Sequence, residues 1–140
     1  MDILYKATAV STGGRDGRVV VENSPLEFDM TLPTELGGTK KAATDPEQLF
    51  AACYSACFGS ALQHVVRERK LHIPTPTVQA TVGIGKNDAG GFTLTVEIIA
   101  TLSKIDQDLA DTVVKEAHNV CPYSNATRGN IEVSIVAKVK

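Results

Sequence analysis

The stretch "TDPEQLFAACYSACFGSALQHVVRERK" constrains this chain more than any other. Asp45 is placed to cap a helix, Pro46 suits the first helical position, and Gln48 at the third completes a capping box. The pattern runs from about Pro46 to Lys70, where "IPTP" stops it. Between Leu49 and Leu62 apolar residues fall on nearly every face, which marks a buried central helix rather than a surface one. The last turns, "HVVRERK", are cationic where the helix dipole favours cations. A helix of this kind needs other elements around it, and the remaining segments must supply them.

Those segments read mainly as strands. "LYKATAVST" alternates polar and apolar residues, "GGRDGR" is a turn, and "VVVEN" continues as a strand. "SPLEFDMTLP" sets Leu26, Phe28 and Met30 against Glu27, Asp29 and Thr31, a strand with one buried face. "ELGGTKKAAT", with Lys40 and Lys41, is a Gly-rich loop. "TVQATVGIGKNDAGGFTLTVEIIATLS" is a hairpin turning at "NDAGG". "DQDLADTVVKEAHNV", capped by Asp106, is an amphipathic helix with Leu109, Val113, Ala117 and Val120 on one face. "NIEVSIVAKVK" closes as a strand. The order β-β-β-α-β-β-α-β predicts an α+β fold, not a doubly wound parallel sheet.

The 140 residues are expected to form one domain, 1–140, since no linker, repeat or low-complexity segment divides them. Hydrophobic content of 43% with 21% charged residues argues against wholesale disorder. A formal net charge of −2 argues against a nucleic-acid-binding face. "MDILYKATAV" lacks the features of a signal peptide, and no uninterrupted apolar run approaches a membrane span. A cytoplasmic protein is therefore the expectation, with no membrane partner. There thiols stay reduced unless they do redox work.

Three cysteines are present, Cys53, Cys57 and Cys121, an odd number that no simple disulfide framework uses. Three readings compete. Two cysteines in an apolar helix are commonly small core residues, and Cys53 fits that role. With His118 of "HNVC", the three thiols have the composition of a structural zinc site, although CxxxC within a buried helix is not zinc-ribbon spacing. The third reading is redox chemistry, which needs a nucleophilic thiolate, a group lowering its pKa and a second thiol. Cys57 sits far from its helix N-terminus among apolar residues, so a cation from elsewhere must activate it. Arg15 and Arg18 of "GGRDGR" are candidates, and Glu47 can hold such a guanidinium through a bidentate pair. Cys121 follows a helix end and precedes Pro122, a junction at which a thiol can swing. Cys53 and Cys57, four apart on one helix, cannot bridge without unwinding it.

"STGGRDGR", "ELGG", "DPEQLFAACYSACF" and "HNVCPYSNATRGNIEV" fall in order over nearly the whole chain. Together they resemble the organic hydroperoxide resistance branch of the Ohr/OsmC family. The resemblance implies an OsmC-like α+β fold in an intertwined homodimer with active sites at its interface. It implies a thiol-dependent peroxidase that reduces organic hydroperoxides, fatty-acid ones included, to alcohols. Cys57 is then the peroxidatic cysteine, Cys121 the resolving cysteine, Arg15 the catalytic arginine and Glu47 its carboxylate partner. A sulfenic acid and a Cys57–Cys121 disulfide would form in turn, recycled by a dithiol such as the dihydrolipoyl group of a lipoylated protein. No cofactor and no metal are expected. The OsmC branch, with a different substrate preference, is the related alternative, and a zinc-stabilised structural protein is the unrelated one.

Two positions depart from the family pattern. Cys53 stands where Gly is usual, and Asp45 where Asn is usual; Asp45 caps equally well and adds a charge beside Glu47. Phe50, Phe58 and Leu49 are expected to make the pocket apolar, which suits alkyl or acyl hydroperoxides. Tyr123 is expected over the active-site side of the loop that Arg128 anchors, and His64 and His72 at the surface. Glu47 and Cys57 are ten residues apart, a rise of roughly 15 Å on a straight helix. Either the helix breaks after "DPEQ" or Glu47 acts across a dimer interface; the second is the expectation.

Overall fold

The structure, a computed structural model, describes residues 1–39 and 42–140; Lys40 and Lys41 of the predicted loop lie outside the described residues. The α+β class is as expected. Packing divides the chain into two units, Met1–Leu49 and Phe50–Lys140.

In the first unit, β1 (Ala9–Thr12), β2 (Arg18–Val21) and β3 (Glu27–Asp29) form an antiparallel sheet in that order. The turn between β1 and β2 explains its glycines. Gly13 has φ 81°, and a Cβ on Gly17 would lie 1.8 Å from the Thr12 carbonyl oxygen, so neither position admits a side chain. Between them a single 3-10 turn, Gly14–Asp16, carries Arg15. The third strand is shorter than its alternation predicts. Met30 is buried, but Leu26 is exposed and lies outside β3. After Asp29 the described residues keep an isolated parallel bridge from Met30 to Thr44 and a bond from the Met30 N–H to the Gly17 carbonyl, too little pairing to continue the strand.

Helix α1 (Pro46–Glu68) begins as predicted: the Asp45 carboxylate accepts from the Gln48 N–H at 2.8 Å. The other half of the capping box does not form, because Gln48 Oε1 accepts instead from the Thr44 hydroxyl. At the far end Lys70 takes φ 54° and the Leu71 N–H reaches the Val66 carbonyl, so a left-handed lysine does the work usual for glycine.

In the second unit, β4 (Thr77–Lys86) and β5 (Phe92–Leu102) form the expected hairpin about Asn87–Gly91. β6 (Glu132–Val139) pairs with β5 in parallel, and the crossover runs through α2 (Gln107–Val120) and α3 (Pro122–Thr127). The core joins Tyr54, Phe58 and Leu62 of α1 to Ile98 and Leu102 of β5 and to Val113 and Ala117 of α2. Each of the large apolar side chains contributes about 1.5–3 kcal/mol by burial.

Two expectations need correcting here. The buried face of α2 is Ala110, Val113, Val114 and Ala117; Leu109 is only half-buried and Val120 is exposed. The face is rotated because Ala110 and Val114, though small or β-branched, fill the space against the sheet. The segment after Cys121, read as a loop, is helix α3, started by Pro122 at its first position. α1 is also long and apolar enough to cross a membrane by length and composition, a test that the core helix of a soluble protein also passes. Here Tyr54, Phe58, Ala61, Leu62 and Val65 face the core.

Candidate active site

Cys57 lies mid-way along α1, where the helix backbone and the buried Tyr54 and Phe58 fix its direction. Cys121 ends α2 and precedes α3 with extended backbone (φ −67°, ψ 122°), as expected before proline. Its N–H bonds to Ala117 and its carbonyl accepts from Asn125, so both flanking helices hold it. The result is a close pair of thiols: Cys121 Sγ lies 3.7 Å from Cys57 Sγ. A disulfide requires about 2.05 Å, so a shift below 2 Å would join them. Cys121 is fully buried, Cys57 half-buried and Cys53 exposed; none is bridged.

Burial pushes the Cys57 thiol above its ordinary value, and the Cys121 and Cys53 thiols add to the rise. The backbone N–H of Tyr123 acts in the opposite direction, favouring the thiolate. Among the groups of residues 50–140 that act on Cys57, none is a cation. Tyr123 itself stacks on Phe50 with centroids 5.9 Å apart and tilts against Tyr54 at 5.6 Å. These rings form an apolar aromatic cluster that includes Tyr123, the residue expected over the active-site side of the segment after Cys121. Burial, followed by the Cys53 thiol, raises the Tyr123 pKa.

Arg15 and Glu47 form the predicted bidentate pair, with Nη1–Oε2 2.6 Å and Nη2–Oε1 2.5 Å. Hydrogen bonding to Arg15 holds the Glu47 carboxyl below its usual range, and the same bond raises the arginine pKa. Asp45 adds further attraction for the guanidinium and leaves the pair intact. α1 is unbroken from Pro46 to Glu68, so the helix-break alternative does not hold. Arg18 has its own partners across the sheet, Glu27 and Asp29, each at 2.8 Å.

Among the described residues no group of three or more His, Cys, Asp and Glu side chains could hold a metal ion. His118, the fourth member of the zinc reading, instead lines a shallow groove with Asp111, Val114 and Lys115, and burial lowers its pKa. Arg128 anchors α3 by bonding to the His118 carbonyl and to Asn125. His64 and His72 are exposed. Sequence reasoning passed over Tyr54, whose buried hydroxyl bonds to Ser124 and Thr127. The signal was present, since a tyrosine inside an apolar helix needs a polar partner.

The family model described as OsmC-like protein matches residues 37–136. An organic hydroperoxide resistance protein of Xanthomonas axonopodis pv. citri is 46% identical over 134 residues, covering 95% of this chain and 94% of that one. The chain belongs to the OsmC-like family, in its organic hydroperoxide resistance branch. A crystal structure of an organic hydroperoxide resistance protein from Elizabethkingia anophelis has 46% identity and TM-score 0.96, with 100% of both chains covered. That of OhrB from Bacillus subtilis has 37% identity and TM-score 0.87, covering 99% of this chain and 100% of that one. These OsmC-like relatives share the α+β fold described above, the fold that the sequence motifs imply.

Proposed function

We propose that this chain is a thiol-dependent peroxidase that reduces organic hydroperoxides, including those of fatty acids, to alcohols. Membership of the organic hydroperoxide resistance branch supports a peroxide-detoxifying role. The observation that carries the mechanism is the 3.7 Å approach of Cys57 and Cys121. The Cys57 thiolate attacks the terminal peroxide oxygen, the O–O bond breaks, and the alkoxide leaves and takes a proton to become the alcohol. Cys57 is then a sulfenic acid. The Cys121 thiol condenses with it, water leaves, and a Cys57–Cys121 disulfide remains. A dithiol such as a dihydrolipoyl group on a protein reduces that bond by thiol–disulfide exchange. Phe50, Tyr54 and Tyr123 favour an alkyl or acyl chain over hydrogen peroxide.

Cys57 still needs a cation, and its own unit supplies none. The Arg15 guanidinium, aimed by Glu47, stabilises both the thiolate and the charge on the departing oxygen. Because α1 is continuous, Glu47 lies ten residues up the axis from Cys57, roughly 15 Å. The pair of one subunit therefore serves Cys57 of the other, in a cytoplasmic homodimer. In the first unit Val10 and Val20, paired on the sheet, are exposed, and in the second so are Ala52, Cys53 and Ala56 on α1; each set is apolar enough to suit contact with a second copy.

Two experiments test this reading. A fatty-acid hydroperoxide added to reduced protein should yield one equivalent of alcohol and a Cys57–Cys121 bridge on peptide mapping. Consumption without that bridge, or no consumption, refutes the mechanism. Mixing Glu47→Ala subunits with Cys57→Ser subunits should restore activity at half of the heterodimer sites; no recovery sinks the cross-subunit assignment.

A further inference from the structure

The peroxidase reading leaves one buried polar network without a role. Tyr54 is fully buried three residues before Cys57 on α1, so the two side chains share a face. Its hydroxyl lies 3.0 Å from Ser124 Oγ and 3.2 Å from Thr127 Oγ1, both on α3, the helix that opens directly after Cys121.

The direction of these bonds follows from counting protons. Thr127 donates its hydroxyl hydrogen to the Tyr123 carbonyl at 2.9 Å, so toward Tyr54 it can only accept. Tyr54 therefore donates to Thr127, and Ser124 donates to Tyr54. The chain runs from Ser124 through Tyr54 and Thr127 to the peptide carbonyl of Tyr123. The backbone of that residue favours the Cys57 thiolate. A phenylalanine would fill the same core volume, as Phe58 does one turn later. The hydroxyl is what distinguishes position 54, and it acts on α3.

We propose that Tyr54 is a positioning residue for the peroxidase cycle: through Ser124 and Thr127 it holds α3 against α1 and keeps Cys121 within closing distance of the Cys57 sulfenic acid. The inference rests on the disulfide mechanism above. Without the hydroxyl, Ser124 loses an acceptor and Thr127 a donor, both inside the protein, and α3 must shift to find others. Cys121 moves with α3, because its carbonyl bonds to Asn125. A longer wait for Cys121 exposes the sulfenic acid to a second hydroperoxide, which converts it to sulfinic acid with release of another alcohol.

The test is Tyr54→Phe, with Thr127→Val as the second variant and Ile98→Val in β5 as the control for lost stability. Reduced protein is mixed with an organic hydroperoxide and quenched over time. Sulfenic acid, disulfide and sulfinic acid at Cys57 are then measured by mass spectrometry. Disulfide closure should slow roughly fivefold in both variants, the factor that a hydrogen bond of ordinary net strength carries. The sulfinic share under excess hydroperoxide should rise in step, while Ile98→Val closes at the wild-type rate. Closure in Tyr54→Phe and Thr127→Val no slower than in Ile98→Val overturns the proposal. Wild-type protein that forms no Cys57–Cys121 bridge instead overturns the mechanism on which it rests.

Discussion

Replacing Glu47 by alanine should damage catalysis far more than stability. In the structure the carboxylate makes two short bonds to Arg15, at 2.6 and 2.5 Å, with side-chain exposures of 12% for Glu47 and 35% for Arg15. An ion pair this open to water is worth about 1 kcal/mol at most, since solvent screens the charges and water can replace the lost partner. Urea denaturation of Glu47→Ala should accordingly give a loss of stability near that figure. The kinetic effect has a different origin. Arg15 sits on a single 3-10 turn between two glycines, and Glu47 is its only ion-pair partner among the described residues. Once Glu47 is gone the guanidinium should sample many orientations, and on the proposed mechanism a donor no longer fixed at the developing oxyanion should cost roughly 10²- to 10³-fold in rate. Stopped-flow measurement of thiol loss under an organic hydroperoxide reads this directly as kcat/KM. If Glu47→Ala loses less than about tenfold in rate, the figure that 1.4 kcal/mol accounts for, the pair is structural and the activation argument fails.

Cys121→Ser should still consume the first equivalent of hydroperoxide, but Cys57 should accumulate as sulfinic acid under excess oxidant, measured as a mass gain of two oxygens. A bridged product in that variant would show that another thiol resolves the sulfenic acid. The Arg15–Glu47 contribution to stability depends on pH with a definite sign. Glu47 has its pKa lowered in the folded protein, so the stabilisation is fully present above the ordinary glutamate value and is lost as pH falls below it. Wild type and Glu47→Gln should therefore converge in urea midpoint as the solution is acidified through that range; a constant difference would show that the shift is absent.

Much of this site was legible before folding because its chemistry sits in local signals. Asp45, Pro46 and Gln48 announce where α1 starts, and the glycines of "GGRDGR" announce a turn able to present Arg15. That Glu47 can hold a guanidinium bidentately followed from guanidinium–carboxylate geometry, while the choice of Arg15 over Arg18 came from the family resemblance. Less legible were features set by tertiary packing. α3 was hidden because six residues rich in Ser, Asn and Thr carry no apolar periodicity; Pro122 and the buried Ser124 and Thr127 define it instead. The rotated face of α2 likewise depends on what it meets across the core, and the truncation of β3 on the little pairing available after Asp29. The zinc reading finds no support for a similar reason: spacing placed His118 and Cys121 near each other, but among the described residues no three or more His, Cys, Asp and Glu side chains gather as a metal site, and His118 lines its own groove.

The remaining question is why a third thiol one helical turn from Cys57 should stay out of the proposed cycle. Cys53 and Cys57 share a face of α1, with Cβ atoms about 5–6 Å apart at that spacing. A disulfide needs about 3.5–4.5 Å. Closing the difference would require unwinding a helix that is continuous over 23 residues and whose next turns bury Phe58, Ala61 and Leu62. Cys121 faces no such barrier, since it ends one helix and precedes another with extended backbone. Exposure also separates the two: Cys121 is fully buried beside Cys57, whereas Cys53 is exposed. Cys53→Ser should therefore form the Cys57–Cys121 bridge within about twofold of the wild-type rate, a difference of under half a kcal/mol. Peptide mapping of oxidised wild-type protein should find Cys53 free. A bridge containing Cys53, in either experiment, would mean that α1 opens during turnover, and the rigid-helix argument would fall with it.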